Sequence, residues 1–189
     1  RTRLAHPTIS NLSDSNPFMP LKPNPLTRGK KQKALVLLQH NQPAEAIPFL
    51  EQVCQTDRRD AEAWFLLAAA RQELGAFVEA DDAYRQVIAL EPQNAEAHYY
   101  LGNTCLALGS GKEALKCFQQ ATSLRPSYLE AHIKLGALLE MRKNFSAAEA
   151  SYRHAIRLDP SNIDLLYSLG DSLYAQEKYD EAAGCYRQV

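Results

Sequence analysis

Residues 61–94 read AEAWFLLAAARQELGAFVEADDAYRQVIALEPQN, and the 34 residues after them restate the same pattern. Ala95 opens the next copy (AEAHYYLGNTCLALGSGKEALKCFQQATSLRPSY), Leu129 the one after, and Ile163 a shorter copy that runs to Val189. Reading backward, Thr27 opens a degraded first copy. A fixed period of this length marks a helical solenoid, in which each unit stacks on the next instead of folding alone.

Numbering each copy from one makes the pattern explicit. Position 7 is Leu67, Leu101, Leu135 and Leu169, and position 8 is small throughout: Ala34, Ala68, Gly102, Gly136 and Gly170. Position 20 is Ala46, Ala80, Ala114, Ala148 and Ala182, while position 24 is large: Leu50, Tyr84, Phe118, Tyr152 and Tyr186. Apolar residues at 4, 7, 8 and 11 form one helical stripe, and those at 20, 24, 27 and 28 form a second. Each copy is therefore a pair of helices. Small residues at 8 and 20 let the two axes approach closely. The large residue at 24 is expected to fill space against the neighbouring copy. Gly75 and Gly109 at position 15 stop the first helix, because glycine tolerates the left-handed conformation. Pro92, Pro126 and Pro160 at position 32 end the second.

This pattern resembles the tetratricopeptide repeat family over residues 27–189, with copies at 27–60, 61–94, 95–128, 129–162 and a truncated 163–189. The resemblance implies an all-α fold, a right-handed superhelical solenoid of stacked antiparallel helix pairs. Copy one departs from it: Lys30 and Lys33 stand at the apolar positions 4 and 7, and Arg58 stands where the others have proline. A terminal repeat whose outer face meets water accommodates such changes.

The net charge of −1 conceals an asymmetry. Residues 1–33 hold seven Lys/Arg against Asp14 alone, a net +6, which leaves −7 on the remainder. A mildly acidic solenoid without basic stripes is a poor nucleic-acid binder. No apolar run approaches the ~20 residues needed to cross a bilayer, so no membrane insertion is expected. Cys54, Cys105, Cys117 and Cys185 form no CxxC pair and read as buried thiols of a reducing compartment. A cytoplasmic location is the expectation.

Residues 1–26 carry five of the ten prolines and no helical period, and they read as an extended tail. Pro17, Pro20 and Pro23 give a run that an aromatic groove would accept as a polyproline helix. Helix A of copy one is expected near 29–40 and helix B near 43–56, with Pro43 suited to a first turn and Pro48 less easily placed. Copy five stops inside its second helix, so continuation beyond Val189 is expected. The truncated end and the tail are the candidate surfaces for self-association.

No catalytic constellation, cofactor motif or metal site emerges. His98 and His132 share position 4, so they are expected on adjacent first helices near one another, but no further ligands complete a metal shell. There is no glycine-rich phosphate loop or nucleophile motif. The segment is not expected to be an enzyme.

Function is expected on the first helices. In this family, positions 2, 5, 9, 12 and 13 face the inside of the superhelix. Here they supply Glu62, Glu96, Glu130 and Asp164 at position 2, and Phe65, Tyr99, Ile133 and Tyr167 at position 5. Asn103, Leu106, Lys134, Met141, Asp171 and Tyr174 complete the candidate groove. Stacking turns each set into a row, an apolar and aromatic one beside an acidic one. Aromatic rows make efficient contact area, and acidic rows favour a partner with basic residues. Two groove chemistries known in the family do not match. The clamp for chaperone C-termini needs Lys at 5 and Asn at 9, but Lys31 is followed by Leu35, and position 2 is acidic in copies two to five. The asparagine ladder of O-linked N-acetylglucosamine transferases needs Asn at 6, where Leu66, Tyr100, Lys134 and Ser168 stand. The expectation is an interaction scaffold that binds a peptide or helix of a protein partner. The alternative is the substrate-presenting arm of a larger transferase, since YRHAIRLDPSN resembles bacterial repeats that precede glycosyl-, sulfo- or methyltransferase domains.

Overall fold

The computed structural model describes residues 25–189, so the run Pro17, Pro20 and Pro23 lies outside it. Among the described residues there are ten helices and no strand. Copy one forms α1 (Pro25–Gln39) and α2 (Pro43–Thr56), and copy two forms α3 (Ala61–Glu73) and α4 (Phe77–Leu90). Copy three forms α5 (Ala95–Ala107) and α6 (Gly111–Leu124), and copy four α7 (Leu129–Met141) and α8 (Phe145–Leu158). Copy five forms α9 (Ile163–Tyr174) and α10 (Tyr179–Tyr186). Each helix packs on its neighbours in sequence, and α7 also touches α9 directly. The result is a helical solenoid.

Local chemistry explains the boundaries. The side chains of Asp60, Asn94 and Asn162, all at position 34, accept from the amides of Ala63, Ala97 and Leu165, which caps α3, α5 and α9. Tyr128 holds that position before α7 and makes no cap. The loop inside every copy passes through a left-handed residue at position 15. Gly75 and Gly109 take it freely, but Asn41, Lys143 and Glu177 take it as well, with φ of 59°, 60° and 62°. The turn is thus imposed by the stacking of the two helices and not by glycine alone. The residue before position 32 is equally invariant in shape: Asp57, followed by Arg58, has φ −130°, close to Glu91 and Arg125, which precede prolines. α1 begins earlier than residue 29, with Pro25 in a first turn where no amide donor is needed. Pro48 is carried inside α2.

The core runs along the axis as two clusters. One belongs to copy one and the start of copy two (Ala34, Leu50, Val53, Leu67), and the other joins copies two to five; Trp64 packs on both. The large residue at position 24 packs on position 8 of its own hairpin as well as toward the neighbouring copy. A methyl group added at Gly102 would lie 2.7 Å from Phe118 Cε1, and one at Gly136 2.6 Å from Tyr152 Cε1. The same holds for Gly170 and Tyr186. Glycine at position 8 is therefore a seat for the ring at 24, tighter than any side chain allows. Tyr84 opposite Ala68 does reach the neighbour, and it stacks on Tyr100 of copy three with centroids 5.9 Å apart.

Candidate binding groove on the first helices

The acidic row lies where a helix favours negative charge. Glu62, Glu96, Glu130 and Asp164 occupy the first turns of α3, α5, α7 and α9, where free amides and the helix dipole stabilise a carboxylate. The row is not uniform. Lys31 Nζ binds both Glu62 Oε2 at 2.6 Å and Asp60 Oδ1 at 2.8 Å. Burial works against the Lys31 charge, but the hydrogen bonds from Asp60 and Glu62 more than offset it, and its pKa is raised. Arg125 Nη1 binds Glu96 Oε1 at 3.0 Å, and Arg125 Cζ lies 5.0 Å from the centroid of the Tyr128 ring. Among the described residues, Glu130 and Asp164 form no ion pair. The first half of the row is neutralised from within the chain and the second half is open.

The position 5 row grades from packed to open in the same direction. Phe65, Tyr99 and Ile133 are half-buried and pack on the core. The Phe65 ring meets Tyr84 and Tyr100 edge-on at 5.6 Å each. Tyr99 meets Tyr100, Phe118 and Tyr128 at 5.2, 5.9 and 4.9 Å. Burial raises the Tyr99 pKa, opposed by a hydrogen bond with Asn103 and reinforced by the Glu130 charge. Tyr167 is 49% exposed, and its ring lies 6.2 Å from that of Tyr186. Leu106 packs on the core, Asn103 and Lys134 are half-buried, and Met141 stands 80% exposed. Exposed Tyr174 leans on Tyr179.

Phenols from the second helices reach acids on this face. Tyr152 donates to Glu140 Oε2 and Tyr186 to Asp171 Oδ1, both at 2.8 Å. Their equivalent Tyr84 is fully buried with its hydroxyl unpartnered, since copy two has Ala69 and Gln72 at those positions. Sequence reasoning missed this contact, although a tyrosine at 24 with an acid at 9 or 12 of the same copy was a readable signal. It also missed Lys31 and Arg125 as internal counter-ions.

The position 4 histidines are each hydrogen-bonded to a backbone carbonyl and do not pair with one another. His98 Nε2 is turned to the carbonyl of Pro92 at 3.0 Å, and His132 Nε2 to that of Pro126 at 2.9 Å. Trp64 Nε1, also at position 4, donates to the Arg58 carbonyl. Position 4 thus ties copies two, three and four each to the end of the one before. The ring against His132 is not His98 but His154. Among the described residues, no three His, Cys, Asp or Glu side chains converge on a metal-sized site. All four cysteines are free and buried. Cys105 donates to Asp81 Oδ1 at 3.6 Å. A hydrogen bond with Cys117, then burial, pushes the Cys105 thiol up, and the same contact lowers Cys117. Two shallow cavities of about 370 and 390 Å³ flank these thiols, both lined by Arg85 and Glu113. They open beside α4 and α6, not along the position 2 and 5 rows. No described helix is long and apolar enough to cross a membrane.

Comparison with known sequences places the repeats. The family profile for anaphase-promoting complex, cyclosome, subunit 3 matches residues 32–121. Three profiles of tetratricopeptide repeats match residues 102–141, 129–162 and 163–188. No curated protein matches the sequence. Among solved structures, MamA is 22% identical with a TM-score of 0.80, covering 85% of this chain and 88% of its own. A MamA fragment (41-end) from Desulfovibrio magneticus RS-1 is 20% identical with a TM-score of 0.78, covering 88% and 94%. YrrB, a TPR protein with an unusual peptide-binding site, is 22% identical with a TM-score of 0.73, covering 82% and 80%. At these identities the likeness is one of fold.

Proposed function

The chain belongs to the tetratricopeptide repeat family, and from that premise we propose that it is an interaction scaffold whose first helices receive a peptide or helix of a protein partner. One observation carries the reading. Consecutive first helices present carboxylates at position 2 beside apolar and aromatic side chains at position 5, and this surface opens toward copies four and five. There, among the described residues, Glu130 and Asp164 lack counter-ions while Met141 and Tyr167 are exposed. The partner is a segment with basic residues for the two acids and apolar residues for the side chains between them. The peptide-binding site of YrrB is a property of that protein, but it supports the choice of a peptide occupant for this fold.

The packing of position 5 decides how to test this. Alanine at Phe65 or Tyr99 would remove half-buried core contacts and loosen the solenoid, so lost binding would be ambiguous. Surface changes avoid the difficulty. A photo-crosslinking residue at Met141 is expected to capture the partner, and the same residue at exposed Gln86 on α4 is not. The charge reversals Glu130→Lys and Asp164→Lys are expected to abolish capture at Met141 while lowering the melting temperature only slightly, since each puts a cation in a first helical turn. Capture from Gln86 but not from Met141 would place the partner on the other face and sink the proposal.

A further inference from the structure

Every junction between consecutive copies except one is crossed by an ion pair among the described residues. Lys31 reaches Glu62 and Arg71 reaches Glu51 between copies one and two, and Arg85 reaches Glu113 between two and three. Arg153 reaches Glu181, and Lys178 reaches Glu149, between four and five. The Arg85 and Arg153 staples use the same places: Arg at position 25, an acid at 21, and Glu at 19 of the next copy. Between copies three and four those places hold Gln119, Leu115 and Ala147, none of them charged. The helix that opens copy four is also the one preceded by Tyr128 in place of a capping Asp or Asn.

Beside the shared apolar core, the side-chain hydrogen bonds that cross that junction converge on one atom. His132 Nε2 and His154 Nε2 each lie 2.9 Å from the carbonyl oxygen of Pro126. A carbonyl only accepts, so both rings carry hydrogen on Nε2. Arg157 Nη2 lies 2.9 Å from His154 Nδ1, so that nitrogen is bare and His154 is neutral. The two rings stack with centroids 4.0 Å apart at 22°. The geometry points to this junction as a proton-sensitive joint: neutral, the histidine pair ties copy four to copy three, and protonated, it lets the two halves of the solenoid reorient.

Charge placement sets the direction of the response. A proton on Nδ1 of His154 removes the lone pair that accepts from Arg157 and sets donor against donor. A second proton, on His132, stacks one imidazolium on another beside that guanidinium. The surrounding elements supply no carboxylate to compensate. On the α6–α7 loop, Arg125 is engaged with Glu96 and Tyr128. On α7, Glu130 pairs with neither ring, and on α8 Glu149 is held by Arg153 and Lys178. Asp159, after α8, binds Ser161, and Asp164 of α9 forms no ion pair. Burial first, opposed by the pull of the Pro126 carbonyl and reinforced by the Arg157 charge, holds the His132 pKa below its ordinary 6.5. The depressed value means that the folded junction binds the proton less well than the unfolded chain does. Its contribution to stability is full above pH 6.5 and is lost as pH falls below that toward the lower folded value. The joint stands whether or not a partner occupies the groove.

Hydrogen exchange on the full chain at pH 7.5 and 5.5, corrected for chemical exchange rates, tests it. The amides of 125–135 are expected to exchange at least ~10-fold faster at the lower pH, while those of 91–101 change by less than about twofold. In the double variant His132→Gln/His154→Gln, amide donors remain for Pro126 but no proton can be taken up, and the difference must vanish. Equal acceleration at both junctions, or a difference that persists in the double variant, overturns the inference. An NMR titration of the unmodified chain is an independent check: His132 titrating below 6.5 supports the joint, and His132 titrating at or above 6.5 overturns it as well.

Discussion

The two junctions that flank copy three are held by different interactions, although the backbone repeats through both. On one side, six rings (Phe65, Tyr84, Tyr99, Tyr100, Phe118 and Tyr128) lie within 5.9 Å of one another in a chain of contacts. Asn94 caps α5, and Arg85 bridges the outer helices. On the other side the cap is absent, no ion pair crosses among the described residues, and two histidines share one carbonyl. A nearest-neighbour solenoid adds its interface energies in sequence, so unequal junctions give unequal local stabilities along one chain. The repeat sets the shape, and the residues outside the shared positions set where it can yield.

The largest effect is expected at the centre of the aromatic side. Phe118 is fully buried on Gly102, and Phe118→Ala should cost about 3–5 kcal/mol by leaving a ring-sized cavity. Denaturant melts monitored by circular dichroism would show it. If the two junctions are energetically separable, exchange protection should fall first in α4–α6 and leave α9 and α10 nearly unchanged. A uniform loss along the chain would mean that the array unfolds as one block and that the contrast between junctions carries no energy.

A smaller effect separates the turns of copies three and four. Gly109 takes the left-handed position 15 without strain, and Lys143 takes the same φ with a side chain attached. Lys143→Gly should therefore stabilise by up to about 1 kcal/mol, and Gly109→Lys should destabilise by a similar amount. Thermal melts of the two variants and their double swap check the signs. Opposite signs with near-cancellation in the swap would confirm that position 15 acts locally; Lys143→Gly without gain would show that its side chain makes up the strain elsewhere.

How much of this was legible in the sequence follows from what a period encodes. A period assigns faces, so the helix pairs, the small residues at 8 and 20, and the rows at positions 2 and 5 could be read from spacing. It does not say which rotamers meet across a face. Lys31 neutralises Glu62, and Arg125 neutralises Glu96, through long side chains at positions 5 and 31 that vary from copy to copy. His154 sits at position 26, where other copies have Gln86 and Gln120, so nothing periodic marked it as the neighbour of His132. Spacing assigns the left-handed turn to Gly75 and Gly109, yet stacking imposes it on Lys143 too, a tertiary constraint overriding local preference.

The smallest effect concerns the outer staples. Arg85 pairs with Asp81 and Glu113 while about half exposed, so Arg85→Gln should cost only ~0.2–1 kcal/mol, and less in high salt. The related staple between copies four and five adds Lys178 and Gln176 as partners of its acid, Glu149. Although burial opposes the charge, hydrogen bonds from Lys178, Arg153 and Gln176 bring the Glu149 pKa down to about 2. A lowered carboxylate pKa contributes stability that is full above the ordinary 4.5 and fades as pH falls toward about 2. The histidine joint fails below 6.5. Acidification should therefore release copies three and four from each other while copies four and five are still stapled. Exchange protection followed from pH 7.5 down to 3.5 should fall in that order, and Glu149→Gln should advance the second step without moving the first. Simultaneous loss at both junctions would show that the solenoid responds to its total charge and not to the groups placed at each junction.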